Sequence, residues 1–490
     1  MRKRVFILGA GDCYEVCQPL LERHYDILGL VETHGGRLGE YVGAYRIHSL
    51  DEVLAQTFDH LLILTLRETS VLPALAAAGL DMRKVLTLDQ CPAILAGLDA
   101  LVFTPERSAE LDALYAGNAV PGKTRLLFAI NSLGGGGAEK ALINLLNNLD
   151  YSRYDVTLLL VVRKGLYLQQ VPPQVRVGAL FEEREDVIRG MLVCKFAEPE
   201  ALHRFFVRAG FDVEIAYLEG WAAKIIAGGN ARRLCWIHCD LLNHHWTEPC
   251  FAPGQDEAEN YAGFDHLVFV AESARRGFAE RFGAPKVPTS VIENFFERDA
   301  ILEKAGEAAD PFGKFTFVSV GRMVPVKGFD RLIDAHARLR AEGSDHQLVL
   351  VGEGKEQDAL MEQARRLNAV DSVKFLGFQS NPYRFIARAD AFISSSFSEG
   401  HPLVLGEALT LGVPVVATDC EGNRGMLADG TYGLLVENST EGLIDGMRQM
   451  LADDVRLEHC RKAALARAAL DKAPILRRIE SLFQGTEPGN

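Results

Sequence analysis

The sequence predicts an α/β protein made of three doubly wound units, and three observations carry that prediction. Three segments each begin with a short apolar run, pass through a glycine-rich turn and continue in a helical pattern: KRVFILGAGD (3–12), RLLFAINSLGGGGAEKALINLLNNL (125–149) and FTFVSVGRMVPVKGFDRLIDAHARL (315–339). The runs are apolar throughout rather than alternating, which suits strands buried on both faces of a parallel sheet covered by helices. A length of 490 residues leaves room for about three such domains.

The first unit continues through YDILGLVE, HLLILTL and KVLTL and ends in the loop-like stretch GNAVPGKT (117–124). Gly9 and Gly11 begin a dinucleotide-type fingerprint, and Glu32 ends the second strand about where a ribose-binding acid would lie. Tyr14 stands where the third glycine belongs, so packing, assembly or partner recognition is the better expectation for this unit. The second unit runs through YDVTLLLVV, VEIAYLEG, RLCWIHCD and HLVFVAES to the Glu/Ala-rich stretch ERDAILEKAGEAADPFGK (297–314), which reads as a linker. The third holds HQLVLVGEG, VKFLGF, AFISSS, VPVVATD and GLLVE, followed by helices that are expected to return to the second unit. The expected divisions are 1–118, 122–300, 301–465 and a C-terminal helical segment, 466–490.

A formal net charge of −14 and a pI near 5.5 exclude a general nucleic-acid binder, which would carry a basic footprint. The nine cysteines are scattered and form no CxxC pair or regular framework, which fits a reducing cytoplasm. Cys235, His238, Cys239, His244, His245 and Cys250 cluster in sequence, but their spacing matches no paired zinc motif, and no metal is expected. The apolar run in MRKRVFILGAGD is too short for a signal peptide, and no stretch approaches the ~20 apolar residues of a membrane span. Contact with the inner membrane leaflet would therefore be peripheral. SARRGFAERFGAPK (273–286) offers Arg275, Arg276, Arg281 and Lys286 beside Phe278 and Phe282. It reads either as a helix resting on an anionic surface or as an ordinary amphipathic helix with both Phe in the core.

The stretch SSSFSEGHPLVLGEALTLG (394–412) carries the chemistry. It predicts a helix over PLVLGEALTLG with Pro402 at its first position and Gly412 as its stop. Glu399 then precedes the helix and Glu407 lies inside it. Backbone N–H groups near Gly400 and His401 suit an anionic ligand, and the carboxylates suit hydroxyls attached to that anion, a sugar on one side and a ribose on the other. The alternative is two exposed helix-end charges. Arg322 and Lys327 lie in a strand-to-helix loop, where they could clamp phosphate or simply be solvated. Gly134 to Gly137 precede a helix and would let backbone approach phosphate, but the GxxxxGK[ST] pattern of an ATP-hydrolysing loop is missing. All of these features fall at the ends of parallel strands, where open α/β sheets bind ligands.

In this combination the chain resembles the retaining GT-B glycosyltransferases of family 4 that build bacterial surface polysaccharides. The resemblance covers about residues 122–470 and rests on SLGGGGAEKALINLL, AYLEG, WIHCDL, FVAES, VIENFF, SVGRMVPVKGFDRLIDA, VGEG, VKFLGF and EGHPLVLGE, the E-x7-E signature. It implies two facing Rossmann-like domains with a central cleft, preceded here by a smaller Rossmann-like domain. It further implies that Glu407 holds the ribose, that Glu399 with Gly400, His401, Pro402 and Leu403 holds the donor sugar, and that Arg322 and Lys327 clamp the diphosphate beside Gly321. Gly136 and Gly137 would line the diphosphate from the facing domain, Gly377 and Phe378 would meet the base, and His238 would lie near the donor sugar, although a lone His after an apolar strand also suits a structural role. The implied reaction is metal-independent transfer, with retention by front-face return, from a nucleotide-diphosphate sugar, UDP-linked by preference, to a glycan or polyprenyl-linked glycan. A double displacement with Glu399 as nucleophile ranks second. A catalytically silent scaffold that recognises glycans or partner enzymes is the alternative from another class. Where many relatives carry a Pro-Glu pair after VVATD, this chain reads CEGNRGML.

Overall fold

Each apolar run becomes a strand of a mostly parallel sheet, and each glycine-rich turn leads into a helix on that sheet's face. The structure, a computed structural model, describes residues 2–33, 35–116, 120–469 and 471–486. The first sheet comprises β1 (Lys3–Leu8), β2 (Tyr25–Val31), β3 (Tyr41–Val42), β4 (Tyr45–His48), β5 (His60–Ile63) and β6 (Val85–Leu86), in the order β3-β4-β2-β1-β5-β6. Only the β3–β4 pair is antiparallel. The junction expected at 117–124 lies, at 117–119, outside the described residues.

The second sheet comprises β7 (Thr124–Ile130), β8 (Tyr154–Val162), β9 (Arg176–Phe181), β10 (Val213–Ala216), β11 (Arg232–Ile237), β12 (His266–Phe269) and β13 (Thr289–Val291), in the order β13-β12-β11-β10-β7-β8-β9. The third comprises β14 (Phe315–Val320), β15 (His346–Val351), β16 (Val373–Phe375), β17 (Ala391–Ser394), β18 (Val415–Thr418) and β19 (Leu434–Val436), in the order β16-β15-β14-β17-β18-β19. Both sheets are parallel throughout. The strand order reverses at β7 and at β14, so the loops after β7 and β10, and those after β14 and β17, flank topological switch points.

The first and second units share one apolar core, running from Val5 and Leu98 to Phe181, Phe206 and Phe278. The first unit therefore docks on the second as a fixed part of it. Its dinucleotide-type loop is occupied by the chain itself, because Arg37 bridges the Ala10 carbonyl and the Glu32 carboxylate, and Tyr14 is fully buried at the place of the third glycine.

The expected linker is partly structured. Residues 297–314 contain the helix Arg298–Ala305, whose Ile301 enters the core of the third unit, so an apolar residue hidden in an acidic stretch makes it a packed element. The division at 300/301 falls inside this helix, and the one at 465/466 inside the helix Asp454–Ala468. The final helix, Ala473–Gln484, packs on the second unit, with Phe483 edge-on to Phe128 and Tyr154. Among the described residues no helix is long and apolar enough to cross a membrane.

The basic stretch 273–286 does not present Phe to lipid. Phe278 and Phe282 of the helix Glu272–Phe282 pack on each other and on Tyr261, with Phe278 also on Phe269. Three of its four cations are paired with carboxylates, Arg275 with Glu272, Arg276 with Glu421 and Lys286 with Glu259, and Arg281 faces His245.

Candidate active site

The loops at the two switch points meet in one cleft. From the third unit come residues 321–328 after β14 and 395–402 after β17. Gly328, at φ +61°, starts the helix Phe329–Ala341 and lies so close to the β17 loop that a Cβ there would stand 2.3 Å from the Ser395 carbonyl. That closeness brings Lys327 to Glu399, with Nζ 2.5 Å from Oε1, and the same oxygen accepts from Ser396 Oγ at 2.6 Å. Arg322 is exposed and makes no side-chain hydrogen bond or ion pair among the described residues. Gly321 is held by its N–H on the Val351 carbonyl at 3.0 Å.

The helix with the second glutamate runs Leu403–Thr410, one residue later than expected, with Pro402 at its N-cap and Gly412 beyond its end at φ +69°. Glu407 Oε1 accepts from Tyr383 Oη at 2.8 Å. Burial pushes the Glu407 carboxyl above the usual range, opposed by the Lys140 ammonium and the Tyr383 hydrogen bond. Burial in turn lowers Lys140, which lies 5.4 Å from the Tyr167 ring and 5.9 Å from the Tyr383 ring. Burial thus leaves the Glu407 carboxyl above its usual range, with a cation from the facing unit opposing that rise.

That unit places the start of the helix Gly137–Leu146 in the cleft, with Gly136 as N-cap. Leu403 approaches to 3.7 Å of where a Gly137 Cβ would be. Glu139, in the first turn, reaches back to the Gly136 N–H, and burial raises its carboxyl, opposed by its own backbone N–H and then by Arg322. Arg322 and the helix start therefore share one electrostatic environment across the cleft.

His238 follows β11 and His401 precedes the helix of Glu407, and they meet where the two units touch most closely. A Cβ on Gly400 would stand 2.5 Å from the His238 carbonyl. The His238 N–H donates to Glu219 Oε2 at 2.9 Å, and Glu219 Oε1 accepts from Trp246 Nε1 at 3.1 Å. Burial pushes both imidazoles down to about 3, His238 further through His401 and His401 further through Arg467. The Nε2 atoms of both are buried without a hydrogen-bond partner among the described residues. Two neutral rings with unused nitrogens at a cleft can each donate to or accept from a ligand hydroxyl.

The structure thus brings His238, Arg322, Lys327, Glu399, Gly400, His401, Leu403 and Glu407 to one cleft, with Gly136 and Gly137 opposite. Gly377 (φ +64°) and Phe378, 46% exposed, lie in the loop after β16. Several participants went unnoticed in the sequence. Arg331, 6% exposed, donates from Nε and Nη2 to the Ser395 carbonyl and from Nη2 to Asn438 Oδ1, while its guanidinium lies 3.8 Å from the Phe397 ring centre. It pins the serine loop. Tyr383, Lys140, Ser396 and Glu219 were missed as well. The motif SVGRMVPVKGFDRL, which includes Arg331, was the available signal for one of these. In the CEGNRGML loop, Asn423 is fully buried and donates to the Thr418 carbonyl at 2.8 Å, while Arg424 pairs with Asp419.

Residues 303–467 match the family described as Glycosyl transferases group 1. The chain is 29% identical over 360 residues to the N-acetylgalactosamine-N,N'-diacetylbacillosaminyl-diphospho-undecaprenol 4-alpha-N-acetylgalactosaminyltransferase of Campylobacter jejuni, covering 71% of this chain and 96% of that protein. It is 38% identical over 182 residues to the lipopolysaccharide core biosynthesis glycosyltransferase LpsE of Rhizobium meliloti, covering 36% of this chain and 52% of that one. Among solved structures, Anabaena HepE in complex with UDP and glucose matches with a TM-score of 0.58 at 20% identity, over 74% of this chain and 100% of that one. Sucrose-phosphate synthase of Thermosynechococcus elongatus matches with a TM-score of 0.61 at 17% identity, over 74% and 99%. With two facing parallel-sheet units and a cleft at their switch points, the chain is a glycosyltransferase of the GT-B fold, and its residues 303–467 match glycosyl transferases group 1.

Proposed function

We propose that the chain transfers a sugar from a nucleotide-diphosphate sugar, UDP-linked by preference, to a growing surface glycan on a lipid carrier, with retention and without a metal. The observation that carries this reading is the Lys327–Glu399 pair at 2.5 Å beside an exposed Arg322, facing the start of the helix Gly137–Leu146. Two cations and a helix N-terminus suit a diphosphate, and the adjacent carboxylate suits the hydroxyls of the sugar attached to it. The UDP preference draws on the UDP complex of HepE, and the lipid-linked acceptor on the name of the Campylobacter relative.

In this reading the donor diphosphate takes Lys327, which releases Glu399 to accept from sugar hydroxyls. Glu407, oriented by Tyr383, accepts from the ribose. As the bond from the anomeric carbon to the diphosphate oxygen breaks, Lys327 and Arg322 stabilise the growing charge, each donor typically supplying about 3 kcal/mol. The acceptor oxygen bonds the anomeric carbon on the same face, and its proton passes to the departing diphosphate. Glu399, which keeps the Ser396 hydrogen bond once Lys327 turns to the diphosphate, is arranged as a hydrogen-bond acceptor for the sugar rather than as a free nucleophile. The nine free cysteines fit a cytoplasmic site of action. A lipid-linked acceptor would be met by a surface other than the Phe278/Phe282 helix.

The test is nucleotide release from UDP-, GDP- and ADP-sugars by wild type and Lys327→Ala. Release from one donor, slowed at least a hundredfold by the substitution, is expected; equal release by both proteins contradicts the assignment.

A further inference from the structure

A cavity of about 690 Å³ lies outside the donor cleft, where the loop after β11 meets the first unit. That volume is within the roughly 300–1,000 Å³ of ordinary small-molecule sites. None of the donor-site residues lines it.

Its wall is built and fixed. Glu257, 8% exposed, accepts from Tyr261 Oη at 2.9 Å and lies 2.7 Å from His245 Nε2, while His245 Nδ1 faces the Arg281 guanidinium. The loop beneath is held by Lys224, a fully buried ammonium that donates to the Lys195 carbonyl at 2.6 Å, the Cys250 carbonyl at 3.1 Å and Gln255 Oε1 at 2.7 Å. The first unit contributes to the cavity's edge. Its Thr69 hydroxyl donates to Glu248, and the adjacent Glu68 forms an ion pair with Lys195 that is almost wholly buried. A unit present only for packing would not need to supply a hydroxyl to the cavity rim.

The lining selects a chemistry. Three carboxylates, Glu248, Asp256 and Glu257, face one guanidinium, since the Lys195 ammonium is already neutralised by Glu68. Anionic ligands are repelled, whereas hydroxyl and amide hydrogens find acceptors. Phe251 and Phe282 add apolar faces of the kind that C–H surfaces of sugar rings cover.

Position ties the cavity to the cleft. In the helix Glu272–Phe282, Arg276 bridges to Glu421 of the third unit, and Arg281, five residues on, lines the cavity. One helix thus runs from a contact with the third unit to the cavity, with the two arginines about 7.5 Å apart along its axis.

We propose that this cavity is a second saccharide subsite, holding an uncharged or amide-bearing sugar of the acceptor chain away from the reacting hydroxyl, and that the first unit serves to complete it. The proposal rests on the glycan-acceptor reading above. The test is saturation-transfer NMR and titration of the full chain with chitotriose, maltotriose, mannotriose and galactotriose, with trigalacturonate as the anionic probe. Wild type, Thr69→Trp and Arg281→Gln are compared, and UDP binding is measured in parallel. Thr69 is exposed, so its substitution fills the mouth of the cavity without touching the core. The expected result is binding of at least one neutral trisaccharide, weakened at least tenfold by Thr69→Trp and by Arg281→Gln, with trigalacturonate not bound and UDP affinity unchanged. Saccharide binding indifferent to both substitutions, preference for trigalacturonate, or binding of UDP but none of the neutral probes would each overturn it. Cavity-dependent saccharide binding without nucleotide binding would uphold the subsite while removing the transferase reading.

Discussion

The first unit meets the second across a continuous apolar core in which Lys195 and Glu68 are sealed at 3% and 2% side-chain exposure. The second meets the third through fewer and more mixed contacts: Leu403 against the second unit's core, the Arg276–Glu421 pair at 54% and 46% exposure, the Gly400 backbone against His238, and two imidazoles with unused nitrogens. A buried ion pair is tolerable only where the interface stays shut, because opening it strands a charge in a low dielectric. Half-exposed pairs and close backbone contacts can be broken and remade at little cost. The contrast assigns rigidity to the first seam, whereas the second carries contacts of the kind that can open and re-form, which under the proposed function would let the cleft close around a donor.

The largest effect that could break this comparison is at the first seam. Lys195→Ala should cost about 3–5 kcal/mol of stability by leaving Glu68 buried and unpaired, read by chemical denaturation. Lys195→Met combined with Glu68→Leu should recover most of that loss. Arg331→Lys keeps the charge but loses the forked grip on Ser395, and should cost about 2 kcal/mol while weakening donor binding, because the loop it holds carries Glu399.

Acid sharpens the contrast from the other side. His238 and His401 are held near 3 against an ordinary 6.5. Above pH 6.5 both are neutral folded or unfolded, and stability is full. Below it the unfolded chain takes up protons that the folded chain refuses, so each imidazole should cost about 2 kcal/mol by pH 5, with further loss toward pH 3. Melting temperatures between pH 7 and 5 should fall, and His401→Gln should flatten that fall. The smallest effect is at the rim, where Arg276→Ala should change stability by less than about 1 kcal/mol.

The strands and the Glu407 helix were legible because uninterrupted apolar runs and a proline-to-glycine span are local signals. Arg322, Lys327 and His238 could be singled out by residue type and neighbouring motif. Arg331 stands in the same motif as Arg322 and Lys327 but its role does not show there, and Tyr383 stands outside it, since their work depends on meeting Ser395 and Glu407 from distant parts of the chain. The helix hidden in 298–305 was obscured by its charged composition, its packing resting on little more than Ile301 and Ala305. Lys224 was silent for the same reason as the cavity it supports: its acceptors come from the helix around Lys195 and from the segment of Cys250 and Gln255, 26 to 31 residues away in the chain.

The most direct measurement is calorimetric titration of UDP, GDP and ADP into wild type and Glu407→Ala without added metal. The account predicts that one nucleotide binds and that the substitution weakens it by about 1–3 kcal/mol, the worth of a charged hydrogen bond to a ribose hydroxyl. Binding of none of the three, or binding indifferent to Glu407, would contradict it.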